Sequence, residues 1–262
     1  MGEEKGVVMS QGRIKAMSLK YDLRGQNALV TGAGRRLGRA FAEALASCGA
    51  NIAVHYGRSM ASAEETIQVA QTHGVKAIGL KADLAQAEQA SSLVDRAVSE
   101  LGEINLLINN AAIFKPLSFL ETSIEAWNQH LTVNLTSPFL ISQSFARHRG
   151  GRSGSIVNLL DWRALRPGTD HFPYTISKAG LVSMTHILAQ ALAPAIRVNG
   201  LALGAVLPPP GKKDYEKDII KGVPIGRWGT VEETVDSLLF LLVGPEFITG
   251  EILHLDGGRH LT

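Results

Sequence analysis

Residues 27–40 read NALVTGAGRRLGRA. A short apolar run breaks into a turn with glycines at 32, 34 and 38, and Leu37 to Cys48 is amphipathic at helical spacing. Such glycines permit a tight turn. The helix that follows offers unpaired N–H groups and a positive dipole end to an anion such as a pyrophosphate. The spacing is G-x-G-x-x-x-G rather than the commoner G-x-G-x-x-G, and a plain strand–helix turn has the same look, so the loop alone is a weak signal.

The rest of the chain strengthens it. NALVTG, NIAVHY, VKAIGLKA, INLLINNAA, GSIVNLL, IRVNGLAL and EILHLDGG are strand candidates. Between them lie helical patterns at Leu37–Cys48, Ser62–His73, Gln86–Leu101, Ile124–Arg147, Tyr174–Ala193 and Val231–Leu242. Strands apolar on both faces, alternating with helices, predict a parallel sheet covered on both sides. The expected fold is therefore α/β: one doubly wound Rossmann-type domain with a seven-stranded parallel sheet. Residues 23–262 form that domain, 1–22 a polar, mobile extension, and the irregular stretch of about 203–230 a substrate loop. In such sheets ligands sit beyond the carboxyl ends of the strands.

Bulk numbers exclude other classes. The 262 residues are 45% hydrophobic and 19% charged, which suits one core. A formal charge of +2 is too small to call for nucleic acid or a membrane surface. The single cysteine, Cys48, excludes an intrachain disulfide and fits a reducing compartment, so a cytoplasmic location is expected. No membrane span or secretory apolar segment is found, and Gly at position 6 breaks the myristoylation pattern. Met9 and Met17 are alternative starts. No metal is called for.

The second strand ends in HYGRS, residues 55–59. An NAD site usually places an acidic residue here for the ribose 2′-hydroxyl. His55, Tyr56, Arg58 and Ser59 stand there instead, and Arg58 can pair with a 2′-phosphate in bidentate fashion. NADPH is the expected cofactor, against the alternative of a solvated arginine in a turn. Asp83 closes the third strand and either accepts from an adenine amino group or caps the next helix. Gly32, Gly34, Arg36, Leu37, Gly38, Leu84, Asn110, Ala111 and Gly204 complete the cofactor-facing candidates.

The chemical end reads DWRALRPGTDHFPYTISK, residues 161–178. Tyr174 and Lys178, four apart, share one helix face, and a nearby cation favours the phenolate of a group whose free pKa is about 10. With Asn109–Ala112 (NNAA), Asn134 in LTVNLTS and the closing DGG, the chain from about residue 22 resembles the short-chain dehydrogenase/reductases. That resemblance implies Tyr174 as general acid. It also implies that Lys178 holds the nicotinamide ribose and lowers the tyrosine pKa, that Asn134 supports a proton-relay water, and that the protein forms a homotetramer or dimer, with a tetramer preferred.

Two departures narrow the resemblance. The usual middle glycine of the first loop is Arg36, and the usual serine thirteen residues before the tyrosine is Asp161. Both look like pteridine reductases, as does HYGRS; Phe114 matches their pterin-stacking position, and DGGRHLT resembles bacterial dihydromonapterin reductases. A serine hydroxyl polarises a ketone, whereas reducing a ring C=N bond requires a proton at nitrogen. A carboxyl group beside the tyrosine can relay that proton and bind an amino-pyrimidine edge. The resemblance thus makes Arg36, Phe114, Asp161 and Tyr174 substrate contacts, with the ring lying between Phe114 and the nicotinamide. Against it, a pterin-contacting serine of some of these enzymes is Ala112, a usual proline is Leu203, and Arg259 and His260 are the candidates for the place of a C-terminal arginine in others.

Four more residues have two readings each. Trp162 lines the pocket or packs in the core; His171 touches substrate or sits on a surface loop; Tyr215 and Trp228 close over a ligand or pack within their loop. The leading expectation is an NADPH-dependent pterin reductase. A ketone or quinone reductase and a non-catalytic NADPH-binding protein remain the alternatives.

Overall fold

The structure is a computed structural model that describes residues 21–207 and 219–262. The reading of residues 1–20 as an extension, and that of Tyr215, fall outside the described residues. Seven strands form one parallel sheet: β1 (Asn27–Val30), β2 (Asn51–Tyr56), β3 (Ala77–Lys81), β4 (Leu106–Asn109), β5 (Gly154–Asp161), β6 (Ile196–Leu203) and β7 (Ile252–Leu255). Their order is β3-β2-β1-β4-β5-β6-β7. The chain winds outward from β1 in one direction and then from β4 in the other, so the crevice between them opens at the carboxyl ends. The single doubly wound domain expected from the alternating pattern is what forms.

Helices α1 (Arg36–Ser47), α2 (Met60–Gln71), α3 (Ala87–Ser91), α4 (Leu93–Leu101), α5 (Ile124–Leu131), α6 (Ser137–Arg149), α7 (Phe172–Ala191) and α8 (Val231–Val243) cover both faces. One core layer holds Val30, Phe41, Val54 and Leu238; the other holds Leu29, Leu107, Phe145 and Val198. Adjacent β1 residues, Leu29 and Val30, thus point to opposite layers. That is why the strands lack polar alternation.

Two helical predictions differ from the outcome. The pattern over Gln86–Leu101 divides into α3 and α4 at Ser92. The pattern over Ile124–Arg147 is interrupted by a π turn at Thr132–Thr136, which sets Asn134 inward with its side chain fully buried. A single extra residue in a turn does not disturb apolar periodicity enough to be read from sequence.

Candidate active site

The first loop is built for close approach. Gly32 has φ +64°, and a Cβ on Gly38 would stand 2.2 Å from the Gly32 carbonyl oxygen. Asn110 donates its side-chain amide to the Thr31 carbonyl at 2.7 Å, and Thr31 Oγ1 accepts from the backbone N–H of Asn110 and of Ala111 at 2.9 and 3.0 Å. Thr31 thereby stitches the loop to the NNAA segment, a role the glycine spacing did not suggest. Arg36 occupies a left-handed conformation at φ +53°, the kind of position where a glycine is unstrained. Its guanidinium is exposed and donates to the Leu207 carbonyl at 3.3 Å.

The residues at and just after the end of β2 divide into two groups. Arg58 and Ser59 are exposed, and Tyr56 is half-buried. His55 is buried: its Nδ1 accepts from the Gly32 N–H at 3.0 Å, and its Nε2 lies 3.1 Å from the Ala82 carbonyl. That pattern requires a neutral ring, and burial pushes its pKa down to about 4. His55 therefore braces the phosphate loop against the end of β3 and presents no donor to a ligand. Asp83 is exposed and accepts from the Ala85 N–H at 3.0 Å, a local turn contact two residues on; it does not cap α3, whose N-cap is Gln86 with no side-chain hydrogen bond. Leu84 is buried, with its carbonyl accepting from Ser137 Oγ. Gly204 approaches Asp256 so closely that a Cβ would lie 2.6 Å from the Asp256 Cα.

Across the cleft, the Tyr174 hydroxyl donates to Asp161 Oδ2 at 3.0 Å. Asp161 ends β5, and its other oxygen, Oδ1, accepts from the Arg163 N–H at 2.9 Å, capping a 3-10 turn at Trp162–Ala164. The carboxylate is thus locked by a backbone donor on one side and aimed at the phenol on the other. Tyr174 and Lys178 are buried on α7. Lys178 Nζ donates to the Leu159 carbonyl at 2.6 Å and lies 5.9 Å from the centroid of the Tyr174 ring.

This arrangement corrects one expectation. The lysine was to bring the tyrosine pKa down, but the pKa is raised well above 10, first by burial and then by the Asp161 charge and hydrogen bond. Lys178 itself falls to about 8, because burial outweighs the attraction of Asp161. Asn134 also does more bracing than expected. Its oxygen accepts from the Ile113 N–H at 2.9 Å, and its amide donates to the Ile113 carbonyl and to Ser177 Oγ at 3.0 and 3.1 Å. It ties the NNAA loop to the tyrosine helix.

Phe114 stands at the mouth, 51% exposed. His171 stacks on it at 4.0 Å and 12°, and Tyr174 meets it edge-on at 4.7 Å. The surface-loop reading of His171 is therefore wrong: the residue is buried, and its Nδ1 lies 2.8 Å from Asp170. Arg163 was not singled out in the sequence, yet it pairs with Asp170 at 3.1 Å and approaches Asp161 at 3.7 Å. Trp162 and Trp228 both line the cleft, which encloses about 650 Å³ bounded by Arg36, Asn110, Phe114, Asp161, Tyr174 and Lys178. One cavity thus joins the phosphate loop to the phenol–carboxylate pair. Among the described residues no helix is long and apolar enough to cross a membrane, and no group of three His, Cys, Asp or Glu is placed to hold a metal.

A nucleotide loop at the sheet's crevice, facing a tyrosine and lysine one helical turn apart, defines a nicotinamide-dependent oxidoreductase fold. The family model described as enoyl-(acyl carrier protein) reductase matches residues 32–260, and the chain belongs to the short-chain dehydrogenase/reductase family. It is 36% identical over 253 residues to a 3-oxoacyl-[acyl-carrier-protein] reductase, FabG, of Aquifex aeolicus, covering 92% of this chain and 99% of that protein. Among solved structures, FolM alternative dihydrofolate reductase 1 from Brucella canis, complexed with NADP, superposes with a TM-score of 0.85 at 34% identity, covering 92% and 96% of the two chains. The Brucella suis FolM, also in complex with NADP, gives 0.86 at 32% identity over 92% and 97%.

Proposed function

We propose that this protein is an NADPH-dependent reductase of a dihydropterin or dihydrofolate-type ring. The observation that carries the reading is the 3.0 Å hydrogen bond from the Tyr174 hydroxyl to the Asp161 carboxylate. The loop fits a dinucleotide: its glycines leave a cradle that a Cβ would fill, no carboxylate follows β2, and Arg36 and Arg58 are exposed there. Those two arginines and Ser59 would hold the phosphates, with Asp83 near the adenine and Lys178 on the ribose. When bound, the nicotinamide supplies the hydride.

The chain's own residues manage the proton. Burial and the Asp161 charge keep the phenol protonated at neutral pH and make it a weaker acid, so it releases its proton only to the basic nitrogen of the reacting ring. Asp161, held by the Arg163 N–H, accepts from the amino group of a pyrimidine edge; the Tyr174 O–H bond breaks as the ring N–H bond forms, and a solvent proton relayed along Asp161 restores the phenol. Phe114 remains half exposed although His171 stacks on one face of its ring, so a flat heterocycle would pack against the part that His171 leaves uncovered. Exposed Ile124, Phe139 and Ile187 on α5–α7 support self-association into a homotetramer.

The likeness to ketone-reducing relatives, FabG among them, supports a second reading, reduction of a carbonyl by Tyr174 alone. A panel of substrates with NADPH separates the two. Turnover of dihydrobiopterin, dihydromonapterin or dihydrofolate supports the first, and turnover of ketones alone overturns it. Tight NADPH binding with no turnover would leave a binding protein.

A further inference from the structure

Two guanidiniums lie against one indole at the mouth of the cleft. The Arg259 guanidinium is 4.4 Å from the centroid of the Trp162 ring, and that of Arg163 is 4.9 Å from it. Their surroundings differ. Arg163 has two carboxylate neighbours, Asp170 at 3.1 Å and Asp161 at 3.7 Å. Arg259 is half-buried, and among the described residues its side chain makes neither an ion pair nor a hydrogen bond; its only directed contact is with the indole. Burial and then the adjacent Arg163 charge push its pKa down, against a weaker pull from the carboxylates of Asp161, Asp170 and Asp256, none of which pairs with it directly. A desolvated cation placed beside a like charge is costly unless something neutralises it. No carboxylate among the described residues pairs with it directly, and it lines the substrate cleft, so its donors face a group that arrives with the ligand.

We propose that Arg259, backed by Arg163, is an anion-docking pair that holds an acidic group on the substrate's tail. Trp162 keeps both guanidiniums flat and oriented, and a fork of this shape suits bidentate pairing with a carboxylate or phosphate. The reacting ring lies inward at Tyr174 and Asp161, and the acidic group lies outward at Arg259, so substrates with a charged tail are preferred to neutral ones. A tail of the benzoylglutamate type rests on the pterin reading above. The docking pair itself does not.

The test uses isothermal titration of the NADP⁺-saturated protein, so that the cofactor's own phosphate site is filled. The probes are p-aminobenzoylglutamate, its dimethyl ester and phenyl phosphate. The diacid or phenyl phosphate, or both, should bind about tenfold or more tighter than the ester, the size of one charge-assisted hydrogen bond. Preference for the first indicates a carboxylate tail, and for the second a phosphate tail. Arg259→Met should abolish the preference, and Arg259→Lys should restore part of it, with the melting temperature of each variant reporting its folding. Affinities for both the diacid and phenyl phosphate no higher than that for the ester, no measurable binding of any probe, or an undiminished preference in Arg259→Met overturns the proposal. If dihydropterins are not turned over but the acid preference stands, the pterin reading fails and the docking pair survives.

Discussion

The two ends of the cleft handle charge in opposite ways. At the phosphate end the ionisable group that is buried, His55, is held neutral, while Arg36 and Arg58 stay in solvent. At the chemical end Tyr174 and Lys178 are themselves buried, with Asp161 largely covered between backbone and phenol. An anchoring site needs fixed charge that water can reach before the ligand does. A site that moves protons needs groups whose pKa values burial has displaced. The difference separates what holds a cofactor from what performs the reaction, and each half can be broken separately.

The largest effect belongs to the phenol. Tyr174→Phe should lower kcat by about a thousandfold, a usual size for a lost general acid, with cofactor affinity much less changed. Single-turnover kinetics together with NADPH titration would check the split. A comparable loss of NADPH affinity would mean the two ends are not separable.

Next comes the buried imidazole. The folded pKa of His55, about 4, lies below the free value near 6.5, so the unfolded chain binds the extra proton between those limits. Stability should therefore be complete above pH 6.5 and fall as pH drops toward 4, by up to roughly 3 kcal/mol. Urea midpoints across that range should fall more steeply in the wild type than in His55→Gln, which is weaker at neutrality but flatter. Parallel slopes would show that the ring charges freely in the folded state.

Arg58→Ala should weaken NADPH by about thirtyfold, about 2 kcal/mol, and leave NADH nearly untouched. Equal losses for both cofactors would remove the 2′-phosphate from its role. The smallest effect is at Arg36, whose left-handed backbone carries strain. Arg36→Gly should gain up to about 1 kcal/mol in thermal unfolding while losing catalytic efficiency. A lowered melting temperature would mean that the contact to the Leu207 carbonyl outweighs the strain.

How much could be read beforehand follows the same division. Strands apolar on both faces announce a covered parallel sheet, and a Tyr–Lys pair at helical spacing announces itself because the period is local. The π turn at Asn134 leaves almost no trace, since one extra residue changes the direction of a side chain without changing its polarity pattern. His55 looks like a ligand because a histidine near the carboxyl end of a strand gives no sign of its burial; only the packing of Gly32 and Ala82 around it shows that both nitrogens are used. His171 and Arg259 were undervalued for a related reason. They lie far apart in sequence from Phe114 and Trp162, the rings they cover, and contacts of that range depend on the assembled fold. The lysine's expected influence on the phenol failed on distance and burial, which spacing along a helix cannot supply.

The carboxylate that replaces the usual serine is the centre of the account, and one substitution addresses it. The measurement is kcat/KM with NADPH for dihydrobiopterin and for an activated ketone, in the wild type and in Asp161→Ser. If Asp161 directs the chemistry toward ring nitrogen, the wild type favours the pterin and the variant shifts the ratio toward the ketone by about a hundredfold, about 2.7 kcal/mol. A ratio that does not move, with both enzymes active, would contradict that role for Asp161.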